Sequence, residues 1–274
     1  MTLSPRPDTA RQIVHHLTRI AHQHFFKSFD DWLSLAINAF LRDDDAYMAI
    51  MKTYGPRDPR KDHPADHFAR ALGIWMNGMQ QRPADYLGQV YEEQSIVNAY
   101  QGQFFTPEPI VELMAAITMP AELADEALVS DPACGSGRML VAGIKRNRFA
   151  TFLGVDTDLT CIHMAALNCL VRNANTYLVH GNSLSLEAHG GYLVRRTPFG
   201  GELHRLSQPD AECLIRLPFG NVKAAGATTA LSPVEPPLTP TPRIEPLTAD
   251  QQAALDNVTG QFTTDKKGQR GFGF

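Results

Sequence analysis

The 274-residue sequence has no run of about 18 apolar residues, so no segment reads as a bilayer-crossing helix. It opens Met1-Thr2-Leu3-Ser4-Pro5-Arg6-Pro7 and continues into polar, His-containing sequence, without the apolar core of a secretory signal. The four cysteines, Cys134, Cys161, Cys169 and Cys213, form no Cys-x-x-Cys pair. Their spacings suit neither a zinc site nor a disulfide framework, a pattern expected of reduced thiols in a cytoplasmic protein. Positive charge is not in excess: 25 Lys and Arg stand against 29 Asp and Glu, for a net charge of −4. Composition therefore gives no argument for a nucleic-acid partner, although a local basic patch remains compatible with it. There is no internal repeat, and the length allows one large domain or one domain with appendages.

What is present divides into three parts. Residues 1–101 read as an N-terminal helical region. Within it Phe25, Phe29, Trp32, Leu33, Ala36, Ile37 and Phe40 recur at helical spacing and form one apolar face. That face suits a core or a partner helix better than a base-stacking platform. Asp43-Asp44-Asp45 and Tyr54-Gly55-Pro56 read as loops. Helical signal resumes over Asp66 to Met79 and from Asp85, with Pro83 suited to a first turn. His15, His16, His22 and His24 are scattered around that region's surface, which suits a solvated helix face better than a metal site.

Residues 102–220 change character. Short apolar runs at Leu128-Val129-Ser130, Phe152 to Asp156 and Tyr177 to His180 alternate with helical stretches at Arg138 to Asn147 and Leu159 to Arg172. That alternation predicts an α/β domain with a parallel sheet and crossover helices. Residues 221–274 read as a Pro-rich linker and flexible tail, with six prolines between Ser232 and Pro246. Lys266, Lys267 and Arg270 there either keep the end solvated or add weak, salt-sensitive nucleic-acid affinity.

The chemistry-bearing feature is Asp131-Pro132-Ala133-Cys134-Gly135-Ser136-Gly137, between the first strand and its helix. Gly135 and Gly137 permit a tight turn and close approach of backbone to a ligand. Asp156 ends the next strand, where a carboxylate can accept hydrogen bonds from ribose hydroxyls. Two readings are open from the turn alone: an adenosine-type ligand site, or a structural turn. Lys145, Arg146 and Arg148 after the following helix complement its dipole or contact DNA.

This ordered set resembles the adenine-N6 DNA methyltransferases, above all the modification subunit of type I restriction systems, from about Asp85 to Leu184. Phe105-Thr106-Pro107 resembles motif X, Asp131 to Gly137 motif I at all seven positions, Gly154-Val155-Asp156 motif II and Gly181-Asn182-Ser183 motif III. Asp85 to Glu92 resembles the helical segment preceding motif X. The resemblance implies a Rossmann-like, doubly wound sheet in its seven-stranded methyltransferase version, with S-adenosylmethionine (SAM) as cofactor. By it, Phe105, Thr106, Pro107, Asp131, Ala133, Cys134, Gly135 and Gly137 bind the cofactor, with Thr106 and the Gly135–Gly137 backbone holding its methionine part. Asp156 takes the ribose hydroxyls, and Asn182 accepts from the adenine amino group. Cys134 has no nucleophilic role, and no metal is expected. The implied partners are DNA and a specificity or restriction subunit.

The family's acceptor tetrapeptide, Asn/Asp-Pro-Pro-Phe/Tyr, does not occur. In relatives its amide or carboxyl oxygen and a Pro carbonyl hold the target amino group, and its aromatic ring stacks on the flipped-out base. The candidates here are a strand-like Cys213 to Gly220, aligning Arg216, Pro218 and Phe219 with the motif, and Arg196-Thr197-Pro198-Phe199. Both place Arg where an acceptor belongs, and guanidinium only donates. Both Pro-Phe-Gly sequences also read as plain turns after strands. Two functions follow: a SAM-dependent DNA adenine-N6 methyltransferase with an atypical catalytic loop, or a SAM-binding noncatalytic regulator or anti-restriction decoy.

Overall fold

The computed structural model describes residues 9–20, 24–58, 62–97, 105–119, 127–219, 262–264 and 270–272. The chain forms two compact units, Met1–Val222 and Lys223–Phe274. In the second unit two short strands, 262–264 and 270–272, pair antiparallel. The Pro-rich stretch Ser232 to Pro246 and the cations Lys266 and Lys267 lie outside the described residues, as does His22.

The first unit begins with five helices: α1 (Thr9–Thr18), α2 (Phe25–Leu41), α3 (Asp44–Lys52), α4 (Pro64–Gln81) and α5 (Tyr86–Val97). The α2 stripe is core: Phe29, Trp32, Leu33, Ala36 and Ile37 are all buried, and Phe29 packs beside Trp32 and Tyr91. Asp43-Asp44-Asp45 is not a loop. Asp43 caps α3 by accepting from Ala46 N at 3.0 Å, and Asp44 and Asp45 fill the first turn, where the helix dipole favours negative charge. Pro83 falls ahead of α5 rather than in its first turn. Asp85 does the capping instead, its Oδ1 accepting from Gly88 N at 2.8 Å.

Helix α6 (Glu108–Thr118) leads to the α/β part: β1 (Leu128–Asp131), α7 (Arg138–Arg146), β2 (Thr151–Asp156), α8 (Leu159–Leu170), β3 (Thr176–Asn182), β4 (Glu187–Thr197), β5 (Gly200–Leu206) and α9 (Gln208–Leu214). Strands β1, β2 and β3 are parallel, as the alternation predicts. After β3 the chain turns back through Ser183 to Leu186, with Leu186 at φ 60°, so β4 joins β3 antiparallel and β5 joins β4. The sheet order is β1-β2-β3-β4-β5, five strands among the described residues where seven are implied, with β1 at the edge.

Side chains divide between the two faces with period two. Phe152, Leu178, Tyr192, Val194 and Leu203 join the core shared with α8 and the N-terminal helices. Leu153, Val155, Val179 and Ala188 pack under α9, against Ala211, Leu214 and Ile215. Gly191 is required by the crossing: a Cβ there would sit 1.9 Å from the Leu178 carbonyl oxygen.

The strand expected over Cys213 to Gly220 is a correction. Residues 208–214 are helical, and Leu217–Phe219 is a 3₁₀ turn. The apolar positions that bury, Ala211, Leu214 and Ile215, stand at i, i+3 and i+4, which is a helix face. Ser207 caps the helix through Asp210 N, and Pro209 lies in its first turn.

Candidate cofactor site

The Gly-rich turn joins β1 to α7 at the carboxyl end of the sheet. Gly135 and Gly137 have φ 52° and 84°, values that L side chains resist, and Gly137 occupies the α7 N-cap. Four backbone donors shape the turn. Ala133 N donates to Asp131 Oδ1 (3.1 Å), Cys134 N to Val155 O (2.9 Å), Gly135 N to Asp156 Oδ2 (2.8 Å) and Gly137 N to Cys134 O (2.8 Å). Asp156 therefore fixes the turn, and its Oδ1 also accepts from Asp158 N at 2.9 Å.

A strap from the residues before α6 covers this turn. The Phe105 ring lies so close to Gly135 that an added Cβ would meet it at 2.7 Å. Between strap and turn is a cavity of about 90 Å³, lined by Phe105, Thr106, Val111, Asp131, Ala133, Cys134, Gly135, Ser136, Arg138 and Met139. Six residues expected from the sequence thus meet there: Phe105, Thr106, Asp131, Ala133, Cys134 and Gly135. Pro107, Gly137, Asp156 and Asn182 are not in its lining. Asn182 ends β3, and its Oδ1 accepts from Leu184 N (2.9 Å) and Ser185 N (3.3 Å). Arg216 is exposed behind α9, with Nη1 donating to Glu212 O at 2.9 Å. Pro218 is in the 3₁₀ turn with Phe219, while Pro198 and Phe199 form the tip of the β4–β5 hairpin.

Burial raises the Asp131 pKa, with the Asp156 charge adding to the effect and the Ala133 hydrogen bond opposing it. Burial pushes the Cys134 thiol well up, so it stays protonated and is no nucleophile at neutral pH. All four cysteines are free thiols.

The strap is clamped by a polar hub that the sequence motifs do not announce. Asp85, 3% exposed, accepts from Ser136 Oγ (2.5 Å), Arg138 Nε (2.6 Å), Asn168 Nδ2 (2.8 Å) and Gly88 N (2.8 Å). Arg138 also donates to Glu92 through Nη2 (2.7 Å) and to the Thr106 carbonyl (3.2 Å), and its guanidinium lies 5.3 Å from the Phe105 ring centre. Glu92 Oε1 accepts from Phe105 N at 2.8 Å. Burial works to lower the Arg138 pKa, but Asp85 and Glu92 outweigh it, so the pKa is raised and the charge is kept. One signal was legible. Arg138 opens α7, the helix end whose dipole repels a cation, so carboxylates had to be near.

An α/β unit with a Gly-rich turn after its first strand, an acid ending the second and a covering strap is the nucleotide-cofactor class of site. The family model described as N-6 DNA Methylase matches residues 82–205, just under half of the chain, which likens this segment to the adenine-N6 DNA methyltransferases. The chain is similar to the type I restriction enzyme EcoKI methylase subunit of Escherichia coli and the StySJI methylase subunit of Salmonella typhimurium. Each is 24% identical over 135 residues, covering 41% of this chain and 25% of the relative. The chain thus spans about a quarter of the length of these curated relatives. Among solved structures it is similar to a putative class I SAM-dependent methyltransferase from Listeria monocytogenes, at 12% identity and a TM-score of 0.37, covering 63% of this chain and 53% of that one.

Proposed function

We propose that the chain binds SAM between the Gly-rich turn and the Phe105–Thr106 strap, and that it serves adenine-N6 methylation of DNA together with a specificity or restriction subunit. The observation that carries the reading is the strap itself: its Phe105 ring lies against Gly135 of the turn, where an added Cβ would meet the ring at 2.7 Å. The cavity is smaller than the roughly 300 Å³ of an ordinary ligand pocket, so the strap opens to admit the cofactor.

When bound, SAM supplies an electrophilic methyl group. The chain's own residues bind and orient. Thr106 and the turn backbone hold the methionine part. Asp131 lies in the cavity as a desolvated carboxylate, and a cationic group beside it would relieve that cost. Asp156 still has acceptor capacity for ribose hydroxyls, since a carboxylate offers about four lone-pair sites and the backbone occupies two. The acceptor role that the resemblance implies for Asn182 is replaced: the two lone pairs of its Oδ1 are taken by backbone donors, so its Nδ2 is the group left for adenine, as a donor to a ring nitrogen.

The second reading, a noncatalytic SAM-binding regulator or decoy, is favoured by the position of the acceptor candidates. Arg216 sits behind a helix, and Pro198-Phe199 forms a hairpin tip at the end of the sheet away from the turn. Calorimetric titration with SAM, followed by transfer of tritiated methyl to DNA from the same preparation, separates the readings. Binding with transfer supports the enzyme. Binding without transfer, alone and with a partner subunit added, supports the regulator, and no binding overturns both. Asp156→Ala should cost SAM binding about 1.5–3 kcal/mol, and unchanged affinity would remove Asp156 from the site.

A further inference from the structure

The cofactor turn lies at the carboxyl ends of the parallel strands. A second built feature lies at their amino ends, about 20 Å away along six-residue β2. There the tip of the β4–β5 hairpin is latched by two asparagines from the loop before β3. Asn173 Nδ2 donates to Thr197 O (2.8 Å), Thr197 N donates back to Asn173 Oδ1 (3.0 Å), and Arg196 N donates to Asn175 Oδ1 (2.9 Å). Inside the tip, Thr197 Oγ1 donates to Gly200 O (2.7 Å) and accepts from Phe199 N (3.2 Å). Asn173 adopts φ 53° to make the latch.

All this order serves to hold out a side chain that touches nothing: Phe199 is fully exposed. Beside it, the Arg196 guanidinium lies 4.5 Å from the centre of the half-exposed Phe149 ring. Arg146, which ends α7, and Arg148, in the loop to β2, are exposed at the same end. Glu202 is held by Arg195 at 2.6 Å and Glu112 by Lys145 at 3.3 Å. Among the described residues, the acidic side chains Asp131, Asp156 and Asp158 sit at the opposite, carboxyl end. Dipole complementation explains Lys145 and Arg146, which are in the last turn of α7, but neither Arg196 on β4 nor Phe199.

We propose that this amino-end face binds single-stranded nucleic acid. Phe199 stacks on an unpaired base, and Arg146, Arg148 and Arg196 meet the phosphates. A rigid exposed ring flanked by guanidinium groups is what sequence-tolerant binding of an unstacked strand requires. The site is independent of SAM, and its distance from the cofactor turn makes it a place where a strand is held rather than modified.

The test is fluorescence anisotropy of labelled oligodeoxyuridylate and oligouridylate, which differ only at the 2′-hydroxyl, with the full chain, without SAM, at about 50 mM salt. Binding of either is expected, with a log–log salt slope near −2 for three phosphate contacts at about 0.7 each. Phe199→Ala should weaken it by roughly 5- to 100-fold, the range for loss of one stacked base, and leave the unfolding midpoint unchanged because the ring is exposed. Arg148→Gln should make the slope shallower by about 0.7. Preference for one oligonucleotide identifies the sugar that is read, and equal binding assigns recognition to base and phosphate; both support the proposal. No binding, Phe199→Ala binding as wild type, or polyglutamate competing as well as the oligonucleotides would overturn it, the last pointing to an acidic protein partner.

Discussion

Replacing Arg138 by Ala removes the one cation between two carboxylates that have little access to water. The side chains of Arg138, Asp85 and Glu92 are 10%, 3% and 22% exposed. Asp85 would keep its bonds to Ser136, Asn168 and Gly88 N but lose its hydrogen-bonded counter-ion, with Arg172 left acting on it only through space. Removing one partner from a buried pair costs about 3–5 kcal/mol. The contacts to the Thr106 carbonyl and the Phe105 ring are lost as well. Against a total stability of roughly 5–15 kcal/mol, that is a large fraction. Denaturant unfolding followed by circular dichroism reads the change directly. Asp85→Asn combined with Arg138→Met should be more stable than Arg138→Met alone, because the buried carboxylate that lost its hydrogen-bonded cation is gone. A loss for Arg138→Ala below about 1 kcal/mol, the value of an exposed pair, would refute the buried clamp.

Gly135→Ala forces a methyl into the Phe105 ring at 2.7 Å and holds φ 52° against a penalty of about 1–2 kcal/mol. It should lower thermal stability and weaken SAM binding more than tenfold by calorimetry; wild-type affinity would remove the turn from the site. His163 is buried on α8 with Nε2 2.9 Å from Tyr192 Oη, and burial lowers its pKa to about 4. The unfolded chain, with a His pKa near 6.5, binds more protons between pH 6.5 and 4, so stability is intact above that window and falls as pH drops through it, by up to about 3 kcal/mol. His163→Gln should flatten the dependence of the unfolding midpoint on pH there, and an unchanged slope would count against the assignment.

The parallel half of the sheet was legible because the β1-turn-α7-β2 arrangement carries its own chemistry: glycines where φ turns positive, an acid at the next strand end, and apolar runs of strand length. The α2 stripe was legible because period 3.6 over 16 residues from Phe25 to Phe40 has one interpretation. The run from Cys213 reads as strand-like for a physical reason. Leu214-Ile215-Arg216-Leu217 is apolar enough for a strand, and its helical spacing shows only when Ala211 and the Ser207 cap are counted with it. The alternation in β4, with Ala188, Gly190, Tyr192 and Val194 buried, is diluted by Gly190-Gly191; the backbone of β3 passes too close to Gly191 for a side chain, and Gly190 has φ 129°. The Asp85 hub was hidden for another reason: its members are 51 and 83 residues apart in sequence, and no local pattern joins them.

In an open α/β sheet, ligands lie in the crevice where strand order reverses, with walls from strands on both sides. Among the described residues the order never reverses, and β1, which carries the Gly-rich turn, is the edge strand. The wall missing beyond β1 is supplied by the Phe105–Thr106 strap, and the strap is held by α5 through Glu92 and Arg138. The proposed SAM site then depends on a residue outside every cofactor motif, Glu92. Glu92→Gln keeps an acceptor for Phe105 N but removes the charge that holds Arg138, so the strap loosens while the core stays intact. SAM affinity should fall several-fold with less than about 2 kcal/mol lost from stability, since Glu92 is partly exposed. Lys145→Ala, which breaks an exposed pair with Glu112 on the neighbouring α6, is the control and should change neither. If Glu92→Gln and Lys145→Ala bind SAM alike, the strap is no wall of the site, and the edge position of β1 leaves the cofactor turn open on that side.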